Sequence, residues 1–196
     1  MSEGIEWIQD VWALGRIDYY ITCARGLSPQ GLVERMTDHA PVQMLPGTLT
    51  AIEAARMVDL DQVYCVARIG AHGDWSFVVE SGGSEGCFLD PQVSESAEVL
   101  VFDPQMDHPP PQFRYHRNGE LIINSSLFGV ERLARGAADL VAAMERVEET
   151  EDEPQDQVRG LLRVIGKHFD LSLPEANIVD GALPALIMRT SAPRCW

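Results

Sequence analysis

The 196-residue sequence has almost no lysine, no basic run and no long apolar segment. Lys167 is the single lysine among 15 basic residues, which stand against 30 acidic residues and give a formal net charge of −15. A chain of this charge repels phosphate backbones unless it has a local basic patch, and the sequence shows none. No segment reaches the roughly 18 apolar residues of a membrane span, and the acidic start is unlike a secretory signal. The sequence therefore predicts a cytoplasmic protein with neither nucleic acid nor a membrane as partner.

Cysteine is scarce and scattered, at positions 23, 65, 87 and 195. No two cysteines have the close spacing of a metal-binding pair, which argues against a structural zinc site. Cys23 and Cys65 fall among apolar residues, so we expect both to be small buried hydrophobes in a reducing compartment.

The histidines show no metal-binding pattern either. His72, His108 and His116, with Asp74 and Asp107 nearby in sequence, lack a diagnostic spacing such as HExxH. We expect these histidines to be solvated, and the sequence predicts neither a metal site nor a cofactor.

Segments rich in β-branched and aromatic residues predict strands. Because these strands follow one another through short loops, they predict an α+β fold with an antiparallel meander of about five to six strands and helices packed on one face. The strongest signal is Asn118-Gly119 between two alternating segments, because this dipeptide tolerates the positive φ angles of a type I′ hairpin turn. The predicted strands cover residues 17–24, 63–69, 75–80, 97–102, 113–117 and 120–124.

Helix starts are marked by capping residues. Ser28 before Pro29 predicts one helix start, and Thr50 with Glu53 predicts a capping box at another. Further helices are predicted at the first residues, at 137–147, at 157–169 and, as a last helix, at 183–188, while the region around Pro46-Gly47 is predicted as a loop. We expect a sheet domain over 1–147, an acidic linker at 148–156 and a C-terminal helical segment, 157–196, packed on the same domain.

Trp75, Glu80, Gly83 and Gly86 stand in the order W-x4-E-x2-G-x2-G. With Phe113-Arg114-Tyr115 ahead of Asn118-Gly119-Glu120-Leu121, and a late Leu171-Ser172-Leu173-Pro174-Glu175, this arrangement resembles an uncharacterised actinobacterial, Streptomyces-type family of small acidic proteins, catalogued as a domain of unknown function. The resemblance extends from the first helix to about Leu186. It implies an architecture and a source, and it implies no reaction.

The candidate binding residues are Trp75, Glu80, Gly83 and Gly86. Trp75 and Glu80 are an odd number of positions apart, so they point to opposite faces of a regular strand. Glu80 has two open interpretations: its oxygens accept backbone N–H groups of the loop 82–86, or it faces a pocket under that loop as an acid–base residue with a raised pKa. Cys87 is the candidate nucleophile, although no nucleophile elbow surrounds it.

Two classes of function remain after these exclusions. The first is a non-catalytic, intracellular protein-binding module of the immunity or regulatory type, whose acidic surface binds another, basic protein. The acid run at 145–156 is either a solvated linker or the contact for that partner. The alternative is a hydrolase or tailoring enzyme of actinomycete secondary metabolism, with its site near Glu80 and the loop 82–86.

Overall fold

The computed structural model describes residues 4–13, 19–37, 42–58, 64–83, 85–104, 111–127 and 132–189. Within these ranges nine strands form one sheet, in the order β2-β9-β3-β4-β1-β5-β6-β7-β8. All neighbouring strands are antiparallel. The strands are β1 (Tyr20–Arg25), β2 (Gln43–Leu49), β3 (Tyr64–His72), β4 (Trp75–Ser81), β5 (Glu98–Asp103), β6 (Gln112–Arg117), β7 (Glu120–Ser126), β8 (Arg132–Ala134) and β9 (Leu183–Arg189).

The predicted α+β fold on one antiparallel sheet is confirmed, but the strand number of five to six is wrong. A continuous meander covers β5 to β8, whereas β1 lies between β4 and β5, and β9 lies between β2 and β3. The region around Pro46-Gly47 belongs to β2 and not to a loop. β2 is an edge strand with a register shift between Met44 and Thr48, and edges are where a sheet tolerates proline.

Six helices and two 3₁₀ turns complete the described chain. They are α1 (Trp7–Ala13), α2 (Pro29–Met36), α3 (Ala51–Val58), α4 (Ala138–Thr150), α5 (Pro154–Phe169) and α6 (Glu175–Val179), with η1 (Glu85–Phe88) and η2 (Pro91–Ser94). Both predicted caps are confirmed. Ser28 Oγ accepts the backbone N–H of Gly31 at 3.0 Å, and Glu53 Oε2 accepts the backbone N–H of Thr50 at 2.8 Å.

The sheet buries both of its faces. The main face carries Ile21, Phe77 and Leu100, which pack with buried residues of α1, α4, α5 and α6. The second face carries Val78 and Val99, which pack with Leu32, Val33 and Met36 of α2. The prediction that helices pack on one face is therefore wrong for α2. The short loops between strands, from which the meander was inferred, do not show whether one face of the sheet or both are covered.

The C-terminal segment differs most from its prediction. Residues 183–188, predicted as a helix, belong to strand β9, because a short apolar run fits a buried strand as well as a helix. The predicted acidic linker at 148–156 is mostly helical: α4 continues to Thr150, α5 begins at Pro154, and three residues connect them. In the part of the chain that the structure describes, no helix has the length and apolarity to cross a membrane.

Candidate functional site

Glu80 is a fully buried carboxylate at the end of β4, on the second face of the sheet. Every residue of β4 is buried, and Glu80 is 0% exposed. It stands opposite Tyr20 of β1 and Ala67 of β3. Apolar strand residues thus place a carboxylate where water cannot solvate it, so its hydrogen bonds must come from the protein.

Both carboxylate oxygens accept backbone N–H groups of η1. Oε2 accepts the N–H of Glu85 at 2.7 Å, and Oε1 accepts the N–H of Gly86 at 2.9 Å. The Sγ atom of Cys65 lies 3.8 Å from Oε2. This geometry is the first of the two interpretations of Glu80: the side chain fixes the start of η1 against the sheet.

Gly86 has a steric reason to be glycine. A Cβ atom at this position would lie 2.5 Å from Thr22 Oγ1 and 2.9 Å from Glu80 Oε1. The turn backbone therefore reaches the carboxylate only because residue 86 has no side chain. Glu80 and Gly86 of the W-x4-E-x2-G-x2-G pattern form one contact.

Burial raises the pKa of Glu80 to about 7, although the N–H donors of Gly86 and Glu85 act in the opposite direction. These hydrogen bonds lower the pKa, but the loss of hydration outweighs them, so the net shift of the pKa is upward. Burial also raises the pKa of the Cys65 thiol, with a further contribution from the charge of Glu80. Cys23 and Cys65 are both free and buried, as predicted.

The structure does not bring the other candidates to Glu80 as one site. Trp75 lies on the main face, where its ring contacts Phe169 edge-on at 6.2 Å between centroids. The opposite-face prediction for Trp75 and Glu80 is confirmed, so the sheet separates the two side chains. Gly83 is half-buried, and Cys87 belongs to η1 with its side chain outside the described part.

His116 corrects the expectation that the histidines are solvated. It is 4% exposed in β6, and neither ring nitrogen has a hydrogen-bond partner within the described residues. Burial, and then the charge of Arg114, lowers its pKa to about 4. His72 is exposed at the end of β3, whereas His108 and Asp107 lie outside the described residues. No three potential metal ligands converge among the residues that are described.

Sequence reasoning missed Arg68, the most unusual polar residue of the main face. It is 0% exposed in β3, in register with Val79 of β4 and Ala185 of β9. A signal was present in the printed sequence, because Arg68 is a lone charge within the apolar run Cys65–Ile69. In a central strand that is buried on both faces, a charged side chain is buried on whichever face it lies.

A family of unknown function, DUF6461, matches residues 3–171. The chain belongs to this family. The match contains the W-x4-E-x2-G-x2-G pattern and ends before β9, whereas the resemblance was expected to extend to about Leu186. No curated protein and no solved structure matches the chain.

The second notable surface of this DUF6461 protein is the hairpin of α4 and α5, with its tip at residues 145–156. The tip holds seven acidic residues and one arginine. Six of the acids are exposed: Glu145, Glu149, Glu151, Asp152, Glu153 and Asp156. Between the helices runs a groove of about 550 Å³, lined by Leu140, Ala143, Arg146, Val147, Thr150, Val164, Lys167 and His168. The acid run therefore lies on two packed helices and the short connection between them, and it is not an extended linker.

Proposed function

We propose that this DUF6461 protein is a non-catalytic cytoplasmic protein-binding module of the immunity or regulatory type. Its contact surface is the acidic tip of the α4–α5 hairpin, and its partner is a basic protein. The observation that carries the proposal is the concentration of exposed carboxylates at 145–156 on an ordered hairpin. Clustered charge of one sign steers an oppositely charged partner and selects against others.

Packing holds the acidic tip in place. Leu140 and Met144 of α4 are buried in the main core together with Leu161 and Ile165 of α5. The two helices approach closely at Gly160, where a Cβ atom would lie 2.7 Å from Val147 Cγ1. An ordered surface loses little conformational entropy on binding, which favours affinity at a given contact area.

Ion pairs to α1 and to the residue before it add to this support. Arg159 near the start of α5 pairs with Asp10, and Arg163 pairs with Glu6 at 3.3 Å. Exposed pairs such as these contribute little stability, but they orient α5 relative to α1. The position of the tip is set mainly by the buried packing of α4 and α5 on the main face.

The groove beside the tip supplies an apolar contact. Its floor includes Leu140, Val147 and Val164, and its rim carries Arg146 and Lys167. Protein interfaces combine an apolar centre with a charged rim in this way. The partner element that fits is an amphipathic segment whose basic end lies over the tip.

The alternative class is an enzyme, a hydrolase or tailoring enzyme of secondary metabolism with its site at Glu80. The pKa of about 7 at Glu80 favours it, since a general acid–base needs such a value. Against it, both oxygens of Glu80 already accept backbone N–H groups and the side chain is fully buried. A proton acceptor must reach its substrate, so the geometry supports the binding module better. An actinomycete source fits the use of arginine in 14 of 15 basic residues.

The test is a comparison of proteins captured from the native host by three immobilised variants. The first is the parent chain, and the second has four tip acids neutralised (Glu149→Gln, Glu151→Gln, Asp152→Asn, Glu153→Gln). The control has four exposed acids neutralised elsewhere (Asp74→Asn, Glu95→Gln, Glu120→Gln, Asp180→Asn). We expect the parent and the control to enrich the same basic proteins and the tip variant to lose them. Equal capture by all three variants, or capture of acidic proteins alone, would refute the proposal.

A further inference from the structure

The main face encloses a guanidinium group that has no counter-charge among the described residues. Arg68 is 0% exposed, and among the described residues its Nε, Nη1 and Nη2 atoms have no partner at the usual hydrogen-bond distance and angle. Its neighbours across the sheet, Val79 and Ala185, are apolar and fully buried. Within the described part of the chain, no carboxylate forms an ion pair with it.

An unpaired buried arginine is a costly feature, because its guanidinium stays ionised and unpaired burial of an ion is strongly unfavourable. The Tyr19 ring, whose centroid lies 5.9 Å from Arg68 Cζ, provides a cation–π contact at the outer limit of that interaction. The Tyr19 hydroxyl is also close enough to interact with the guanidinium, but it is one neutral acceptor for a group with five N–H donors. Binding of an anion next to the guanidinium would therefore stabilise this charge.

Two further side chains near Arg68 carry hydroxyl groups. Ser81 is in register with Val66, two residues from Arg68 along the same face of β3, and its buried Oγ has no hydrogen-bond partner in the described chain. Diagonal neighbours of this kind are within reach of a long side chain. Tyr19 is 2% exposed, and burial raises the pKa of its phenol although Arg68 acts in the opposite direction, so the hydroxyl is protonated and can donate. Arg68, Ser81 and Tyr19 together provide several N–H and O–H hydrogen-bond donors.

We propose that Arg68, with Ser81 and Tyr19, binds the oxyanion of a small acidic ligand, either a carboxylate or a phosphate group. The planar guanidinium accepts either group in a bidentate arrangement, and the hydroxyls donate to its remaining oxygen atoms. This site is on the main face, whereas Glu80 is on the second face and the acidic tip is on the α4–α5 hairpin. The ligand is thus distinct from the basic protein partner.

The test uses the full chain and two probes, sodium phosphate and sodium acetate, each against sodium chloride at equal ionic strength. Thermal unfolding is followed over a range of concentrations. A ligand that binds only the folded state raises Tm with the logarithm of its concentration, by about 5 °C or more at a hundredfold excess over Kd. We expect one probe to do so, and the one that does identifies the anion class. Material purified without either probe should also release close to one oxyanion per chain on denaturation.

Two variants separate a specific site from a general salt effect. Arg68→Met keeps the length of the side chain and removes the charge, so Tm should no longer respond to the probe. Arg163→Met removes an exposed arginine on α5, and its response should match that of the parent. If Arg68→Met does not fold, the Tm titration of the parent and the anion that it releases still decide whether the parent binds an oxyanion. Equal Tm in phosphate, acetate and chloride with no released anion, or an equal response of Arg68→Met, would overturn the proposal.

Discussion

At the scale of single residues, Glu80 is the side chain whose role the structure defines most closely. Its oxygens accept the N–H groups of Glu85 and Gly86, so Glu80→Gln leaves one acceptor oxygen for two donors. The amide NH₂ then faces a backbone N–H. We expect a loss of about 1–3 kcal/mol in the free energy of unfolding at pH 7, measured by chemical denaturation. Glu95→Gln, at an exposed position, should change little. A Glu80→Gln variant more stable than the parent would contradict the structural role.

The raised pKa of Glu80 gives this prediction a pH dependence. The folded protein holds the proton up to a pKa of about 7, whereas the unfolded chain releases it near its ordinary value of 4.5. Between these values the folded state binds more protons, so the contribution of Glu80 to stability falls as pH rises. Glu80→Gln lacks this titration. The stability difference between parent and variant should therefore be largest below pH 4.5 and narrow up to pH 7. A stability difference between parent and Glu80→Gln that widens from pH 4.5 to pH 7 would contradict this direction of the pH dependence.

Gly86 offers an independent test of the same contact. Gly86→Ala places a Cβ atom 2.5 Å from Thr22 Oγ1 and 2.9 Å from Glu80 Oε1, so either η1 or the carboxylate must move. We expect a cost of about 1–3 kcal/mol, the usual range for added volume in a packed site. Gly136→Ala is the matched control, because a Cβ there meets one methyl group at 3.4 Å. Equal melting temperatures for the two variants would rule out the close approach at Gly86.

At the scale of elements, the β6–β7 hairpin depends on its turn. Asn118 and Gly119 both have positive φ, 51° and 81°, as a type I′ turn requires, and the predicted hairpin is confirmed. A Cβ on Gly119 would meet no atom within 4 Å, so a substitution there reports on backbone conformation alone. Gly119→Val should cost on the order of 1 kcal/mol or more, and Gly119→Asn should cost less, since asparagine tolerates positive φ. The check is thermal unfolding, and an unchanged Tm for the valine variant would argue against the turn.

Elements with local signals were predictable from the sequence, and elements defined by tertiary contacts were not. Ser28 and Thr50 identify helix starts, and Asn118-Gly119 identifies a hairpin, because each acts through its own backbone. β2 contains Pro46 and is mostly exposed, and β8 has three residues, so neither has an apolar alternation to recognise. β9 is a strand because β2 and β3 supply its hydrogen bonds. That pairing spans more than a hundred residues of sequence.

At the scale of the whole molecule, the candidate site was predictable in part. The spacing of Trp75 and Glu80 predicted their separation by the sheet, and the adjacent glycines suggested the backbone contact that Glu80 makes. The pKa of Glu80 was not predictable, because it depends on burial by η1 and by the strands on either side. The burial of Arg68 likewise depends on the pairing of β9 with β3. Burial of this kind is a property of the assembled sheet.

The most direct test of the proposed function is the salt dependence of partner association by the α4–α5 tip. A basic protein captured by the parent chain is bound to the parent, to the tip variant and to the control variant by surface plasmon resonance, between 50 and 500 mM salt. Exposed charges more than about 10 Å apart are screened at 0.1 M, so steering by the tip weakens as salt rises. If the tip steers the partner, the parent and the control should associate at least about tenfold faster than the tip variant at low salt, and the three rates should converge at high salt. Equal association rates for all three at 50 mM would contradict it.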